Sequence, residues 1–224
     1  MEITYIYHSG FLISTEKSHI IIDYYRDASS AVNSIMDRSV IDKVLSDNSR
    51  PVYVLSSHSH YDHFNIDILK WKEYRDDITY VLSQDIMEQF GLDNDMAVWM
   101  RKNDSYSDNI LKIEAFGSTD IGVSFLIETD GRTLFHAGDL NNWHWMDESP
   151  EEEWRRDEDY FLRELEDIRK KHQCIDIVMF PVDPRLGKEY MRGAVQFTEK
   201  IDTGFFIPMH FGENYEAANR FQCY

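Results

Sequence analysis

From Thr4 to Thr15, and again from His19 to Asp23, β-branched and aromatic residues alternate with polar ones around the polar Glu16-Lys17-Ser18. This pattern predicts two strands joined as a hairpin. The period changes from Ala28 to Leu45, where Val32, Ile35, Met36, Val40, Ile41 and Val44 recur at helical spacing and predict a helix. Pro51-Val52-Tyr53-Val54-Leu55 is a short unbroken apolar run, as in a strand buried on both faces. Asn65 is placed to cap a helix running to Trp71, Ile78 to Leu82 reads as a strand, and Asp85 to Phe90 as a short helix stopped by Gly91. Between Ile110 and His136, three strand-like stretches punctuated by Gly117, Gly122 and Asp130-Gly131 predict an antiparallel meander. Glu151 to Lys171 is highly charged but carries an apolar stripe of Trp154, Tyr160, Phe161, Leu165 and Ile168, the mark of an exposed helix. A strand from Ile175 to Phe180, a helix around Gly193 to Ile201, a strand from Phe205 to Met209 and a terminal helix complete the reading.

Alternating strands and helices over 224 residues predict an α/β chain, a single domain spanning 1–224, or two fused half-layers. A chain of this size buries roughly 70–75% of its unfolded surface, so its core needs no metal or disulfide, and any metal is free to be functional. The formal charge of -18 disfavours broad nucleic-acid binding. Cys174 and Cys223 show no pairing pattern, which fits reduced thiols in a cytoplasm. No long apolar run predicts a membrane span, and nothing in the pattern specifies an oligomeric state.

Just past the apolar strand stands Ser56-Ser57-His58-Ser59-His60-Tyr61-Asp62-His63. In extended chain His58, His60 and Asp62 project to one side, and a turn after Asp62 lets His63 swing round to join them. Imidazoles and a carboxylate without thiolate suit zinc, or manganese or iron, and leave a position open for water.

His58-Ser59-His60-Tyr61-Asp62-His63 matches the H-x-H-x-D-H signature of the metallo-β-lactamase superfamily, and later segments follow its order. Phe135-His136-Ala137-Gly138-Asp139 resembles the strand-end G-D segment whose aspartate bridges two metals, and Ile207-Pro208-Met209-His210 the P-x-H segment supplying the last histidine. Tyr7-His8-Ser9-Gly10-Phe11-Leu12-Ile13 with Ile21-Ile22-Asp23 resembles the N-terminal hairpin of the branch containing ascorbate-phosphate lactonases and uncharacterised hydrolases. The resemblance implies a four-layer αββα sandwich. It also implies a hydrolase of small esters, lactones or phosphoesters that uses metal-activated water, with zinc as the first expectation, one or two ions, and Mn2+ or Fe2+ as alternatives. The implied ligands are His58, His60, Asp62, His63, Asp139 and His210, with Asp62 also orienting or deprotonating water.

One element departs from that pattern. Family members place a further histidine where this chain has Ala115-Phe116-Gly117-Ser118-Thr119, and neither Gly117 nor Ser118 is a good ligand. His58, His60 and a shared Asp139 would form an incomplete first set, and Asp62, His63, Asp139 and His210 the firmer second one. The alternative is therefore a non-catalytic metal- or ligand-binding module that has lost a productive metal pair, with a redox di-iron role as a third option. His8 and His136 are candidates for positions behind the ligands or for satisfied core histidines. Trp143 and His144, with Trp145, either wall a pocket for an apolar or ring-shaped substrate or clamp the acidic helix to the core. Arg185 and Lys188 are candidate anion contacts.

Overall fold

The computed structural model describes residues 1–26 and 39–221. One sheet runs in chain order through β1 (Glu2–Tyr7), β2 (Gly10–Ser14), β3 (His19–Ile22), β4 (Val52–Ser56), β5 (Ile78–Ser83) and β6 (Val98–Met100). The second comprises β7 (Ser105–Ser107), β8 (Leu111–Phe116), β9 (Ser124–Thr129), β10 (Arg132–His136), β11 (Cys174–Pro181) and β12 (Asp202–Met209), again in sequential order. Both sheets are mixed. The first turns from antiparallel to parallel at β3, and the second at β10.

Period-two alternation distributes the apolar side chains to the two faces of each strand. Ile20 and Ile22 of β3 join Phe11, Tyr53 and Leu55 in the core between the sheets. Ile21, with Leu12, Val52 and Val54, packs outward on Ile41 and Val44 of helix α1 (Ser39–Ser46) and on Trp71 of a 3₁₀ helix (Ile66–Glu73) capped by the Asn65 side chain. On the far side, helix α3 (Glu151–Lys171) buries Phe161, Leu165 and Ile168 against the second sheet, and Phe197 of α4 (Arg192–Lys200) packs on Phe135 and Phe180. Each fully buried side chain of this size contributes about 1.5–3 kcal/mol. The result is the four-layer αββα arrangement that the resemblance implies.

Two sequence expectations need adjustment. The stretch from Thr4 to Thr15 is two strands, because the chain folds back at His8-Ser9, with His8 at a φ of 58° and Tyr7 paired with Gly10. Strands β6 and β7 were not expected, since three residues are too few to show a period. Of the helix expected from Ala28 to Leu45, positions 28–38 lie outside the described residues, as does Cys223. Helix α2 (Gln84–Phe90) ends at Gly91 as expected, and α5 (Tyr215–Arg220) is the terminal helix. No described helix is long and apolar enough to cross a membrane.

The two sheets meet at the end of β4. Val123 N–H donates to the Ser57 carbonyl (2.9 Å), and Gly122, at a φ of 76°, approaches so closely that a Cβ would lie 2.1 Å from that oxygen. Gly122→Ala is therefore expected to cost more than the roughly 1–2 kcal/mol of the left-handed conformation alone, because backbone beside His58 must also move. Denaturant unfolding measures this, and wild-type stability in the variant would show that the approach is not this close.

Candidate metal centre

Five loops at one edge of the sandwich carry the site. After β4, the amides of His63 and Phe64 both donate to the His60 carbonyl (3.0 Å each), and this turn brings His63 back beside His58. Asp85 of α2 accepts from Ser59 N–H at 2.8 Å and holds the segment between the first two histidines. His8 sits in the β1–β2 turn and His210 follows β12, with His210 N–H donating to the His8 carbonyl (3.0 Å). Asp139 follows β10, and Asp120 lies in the β8–β9 connection.

These side chains form two groups. His8, Asp62, His63 and His210 bring one ligand atom each within 4.8 Å of one another, and so do His58, His60, Asp120 and Asp139. Asp139 stands between them. Its Oδ1 lies 3.0 Å from His63 Nε2 and 3.2 Å from His210 Nε2, while Oδ2 is 3.6 Å from His58 Nε2. In the second group, His60 Nδ1 lies 3.4 Å from Asp120 Oδ2 and 3.1 Å from His58 Nε2.

The donor atoms fit a cation. His8 Nε2, His63 Nε2, His210 Nε2 and Asp139 Oδ1 are buried, yet none takes part in a properly oriented hydrogen bond. Buried polar atoms are rarely left unsatisfied, and four converging on one spot are what divalent metal ligands look like without their ion. The first group is enclosed. In the second, His60 and Asp120 keep 46% and 41% of their side chains exposed, so it faces solvent.

Partners behind the ligands set which nitrogen faces the centre. His63 Nδ1 donates to the fully buried Asp23 (2.7 Å), which also accepts from Ser57 N–H and Oγ–H at 2.7 Å each. His210 Nδ1 donates to Asp183 (3.0 Å), itself paired with Arg185. Each carboxylate fixes its imidazole with Nε2 forward. Burial opposes a charge on His63, but Asp139 and Asp23 outweigh it and hold its pKa well above the ordinary histidine value. Burial pushes His58 down to about 4, with the neighbouring His63 adding to it. Burial would raise Asp183, yet His210 and Arg185 hold it at about 2. Asp139 is kept well below the usual carboxylate range, burial notwithstanding, by His63 and His210.

The other sequence candidates take varied places. His136 lies beneath the centre, donating through Nε2 to the Ser9 carbonyl (2.8 Å) and accepting from Gly138 N–H through Nδ1 (3.2 Å). His144 is buried with both ring nitrogens bonded to backbone, at Glu189 and Met146. Trp143 donates from Nε1 to the Asp139 carbonyl (2.8 Å) and sets its ring edge against His210. Ser118 Oγ accepts from Asp120 N–H (3.2 Å), so it shapes the turn that delivers that carboxylate. Lys188 lies away from the centre, whereas Arg185 lines a cavity of about 530 Å³ in front of it, with Tyr61, Trp143, Trp145 and Tyr160.

Sequence reasoning missed Asp120, which stands in the group expected to lack a member. Its only signal was an acidic residue two positions beyond Ser118. A side chain at Gly117 would displace Glu164, because a Cβ there would lie 2.0 Å from its Oε2. His8 stands in the candidate group with Asp62, His63 and His210.

A family model described as the beta-lactamase superfamily domain matches residues 2–153. Among solved structures, the chain is similar to Igni18, a metallo hydrolase from the archaeon Ignicoccus hospitalis KIN4/I, with a TM-score of 0.66, 16% identity and coverage of 99% of this chain and 90% of that one. It is also similar to the metallo-beta-lactamase fold protein YhfI from Bacillus subtilis (TM-score 0.60, 11% identity, 96% and 83% covered). Its similarity to CmlA, a diiron beta-hydroxylase from Streptomyces venezuelae (TM-score 0.62, 12% identity), covers 93% of this chain but only 44% of that larger protein. No curated protein matches the chain.

Proposed function

Because the chain belongs to the beta-lactamase superfamily domain family, we propose that it is a metal-dependent hydrolase acting on an ester, lactone or phosphoester bond of a small molecule. One cation would be held by His8, Asp62, His63 and His210, a second by His58, His60 and Asp120, with Asp139 shared. The observation that carries this reading is the convergence of unsatisfied buried nitrogens on Asp139, at the floor of an open cavity. Zinc, or manganese or iron, suits a thiolate-free set of imidazoles and carboxylates.

Divalent ions in such sites acidify water toward neutrality and polarise a carbonyl or phosphoryl oxygen. The protein's own groups do the rest. Asp62 borders the cavity, and burial, which would raise its pKa, is outweighed by His8 and His63, so it stays ionised, able to hold a cation and to orient a water by accepting its hydrogen bond. His8 Nε2 lies 3.5 Å from Asp62, so the two would share that cation. Arg185 adds a cation at the cavity wall for an anionic substrate group. The unpaired pattern of Cys174 and Cys223 supports a reducing compartment such as the cytoplasm.

Asp120 bears on the rival readings. Its carboxylate supplies the member whose lack suggested a binding module without a productive pair. The same carboxylate also suits iron, which favours a redox di-iron centre as the second reading. Metal analysis of protein purified without chelator, paired with an aryl ester, a lactone and an aryl phosphodiester, separates them. Two equivalents of metal and turnover of at least one compound are expected, with Asp120→Ala retaining about one equivalent because the enclosed group keeps all its members. Full metal without turnover would favour a binding module, iron with substrate-dependent oxygen uptake the redox reading, and absence of metal would remove the hydrolase and redox readings and leave only a ligand-binding module.

A further inference from the structure

The segment Trp143-His144-Trp145 is built as a platform. His144 is turned inward and locked through both ring nitrogens, to the Glu189 carbonyl (3.2 Å) and from Met146 N–H (3.1 Å). The indoles on either side of it both line the cavity in front of the metal centre, nearly parallel, 6.5 Å between centroids and 15° between planes. Trp143 is fixed by its bond to the Asp139 carbonyl, so this wall has a defined position relative to the ligands. Trp145 is held at a φ of 43°, in the left-handed region that a bulky side chain avoids. Such strain persists only where the surroundings impose it, and it concentrates where a side chain must be presented in a particular way. A large aromatic held at this cost beside a reactive centre, and left half-exposed on the cavity, is available to a ligand rather than spent on the core.

The opposite requirement is charge. Arg185 lines the same cavity, and its Nε and one terminal nitrogen are engaged by Asp183, which orients the guanidinium without using all its donors. Two divalent cations would more than offset the charges of Asp62, Asp120 and Asp139, so a filled centre attracts anions.

Resting on the hydrolase reading above, we propose that the substrate is a small anionic molecule carrying a planar aromatic or heteroaromatic ring, the ring seated on Trp143 and Trp145 and the anionic group beside Arg185. Offset or edge-to-face ring contacts of this kind favour a planar ring over a saturated one of the same size by roughly 2- to 12-fold.

Calorimetric titration of the metal-loaded protein with phenyl phosphate, cyclohexyl phosphate and inorganic phosphate tests this without relying on turnover. Phenyl phosphate is expected to bind tighter than cyclohexyl phosphate by that factor. Trp145→Leu should bring the ratio to about one at unchanged metal content and unchanged affinity for inorganic phosphate, while Trp145→Phe keeps part of the preference. Arg185→Gln should weaken all three ligands alike. Equal binding of the two ring compounds by the wild type, or a preference that survives in Trp145→Leu, overturns the ring assignment, and phosphate affinity untouched in Arg185→Gln overturns the anion assignment. Failure of the hydrolase reading would show separately, as metal-loaded protein that turns over none of the aryl ester, lactone and phosphodiester, or as protein that takes up no metal.

Discussion

Replacing Asp139 with asparagine is expected to lower metal affinity at both ligand groups by well over 100-fold and to leave the purified variant with less than one equivalent of metal. Changes in residues behind a ligand typically cost 10–100-fold. Asp139 is not behind a ligand, since one oxygen faces His63 and His210 at 3.0 and 3.2 Å and the other faces His58 at 3.6 Å. An amide removes the negative charge shared by the two groups. The fold itself should persist, because the loop is held by the Asp139 backbone carbonyl, which accepts from Trp143 Nε1 (2.8 Å) and Thr119 Oγ1 (3.2 Å), and the side chain keeps its size. Elemental analysis beside a circular-dichroism melt reads both quantities, and a folded variant still carrying two equivalents would sink the ligand assignment.

Asp23→Ala acts one layer deeper and is expected to harm the metal-free protein most. The carboxylate is fully buried and accepts three hydrogen bonds, from Ser57 N–H, Ser57 Oγ–H and His63 Nδ1–H. Removing one partner of a buried charge pair costs about 3–5 kcal/mol. The pH profile carries the signature. His63, raised well above 6.5 in the folded chain, contributes stability that is complete below 6.5 and is lost as pH rises through its raised value. His58, lowered to about 4 by burial, has the opposite effect, because the unfolded chain takes up its proton first as pH falls below 6.5. The chelated wild type should therefore melt highest near pH 6.5 and lose stability on both sides, with a shallower alkaline limb in Asp23→Ala. Metal affinity should instead rise with pH through this range, since the ligating histidines must be neutral. A chelated protein whose melting temperature climbs steadily on the alkaline side would contradict the buried His63 ion pair.

Much of this was legible because it is local. The residues from His58 to His63 are arranged by one strand end and one turn, and helix α3 has the bounds its charge pattern predicts, with Phe161, Leu165 and Ile168 of its apolar stripe buried, Trp154 half-buried and Tyr160 exposed. Asp120 was not legible, because what brings it to His60 is the close approach of Gly122 to Ser57, a contact between sheets that no periodicity records. Asp23 and Asp183 looked like a strand end and a residue before proline. Their roles depend on which imidazole lies behind them in space. The turn at His8 was hidden by the residues on both sides of it, which continue the same strand-like alternation through a two-residue reversal.

The backbone bond between His8 and His210 brings residues near the two ends of the chain side by side. An ion held by both side chains would close all the chain between them into one loop, as a cross-link does, and the longer the loop closed, the more the unfolded ensemble loses. The centre would then act as a clasp as well as a reagent. Chelation should expose the N-terminal hairpin and β12 to proteases before the helices of either outer layer, and raising free metal should protect them in proportion to its logarithm.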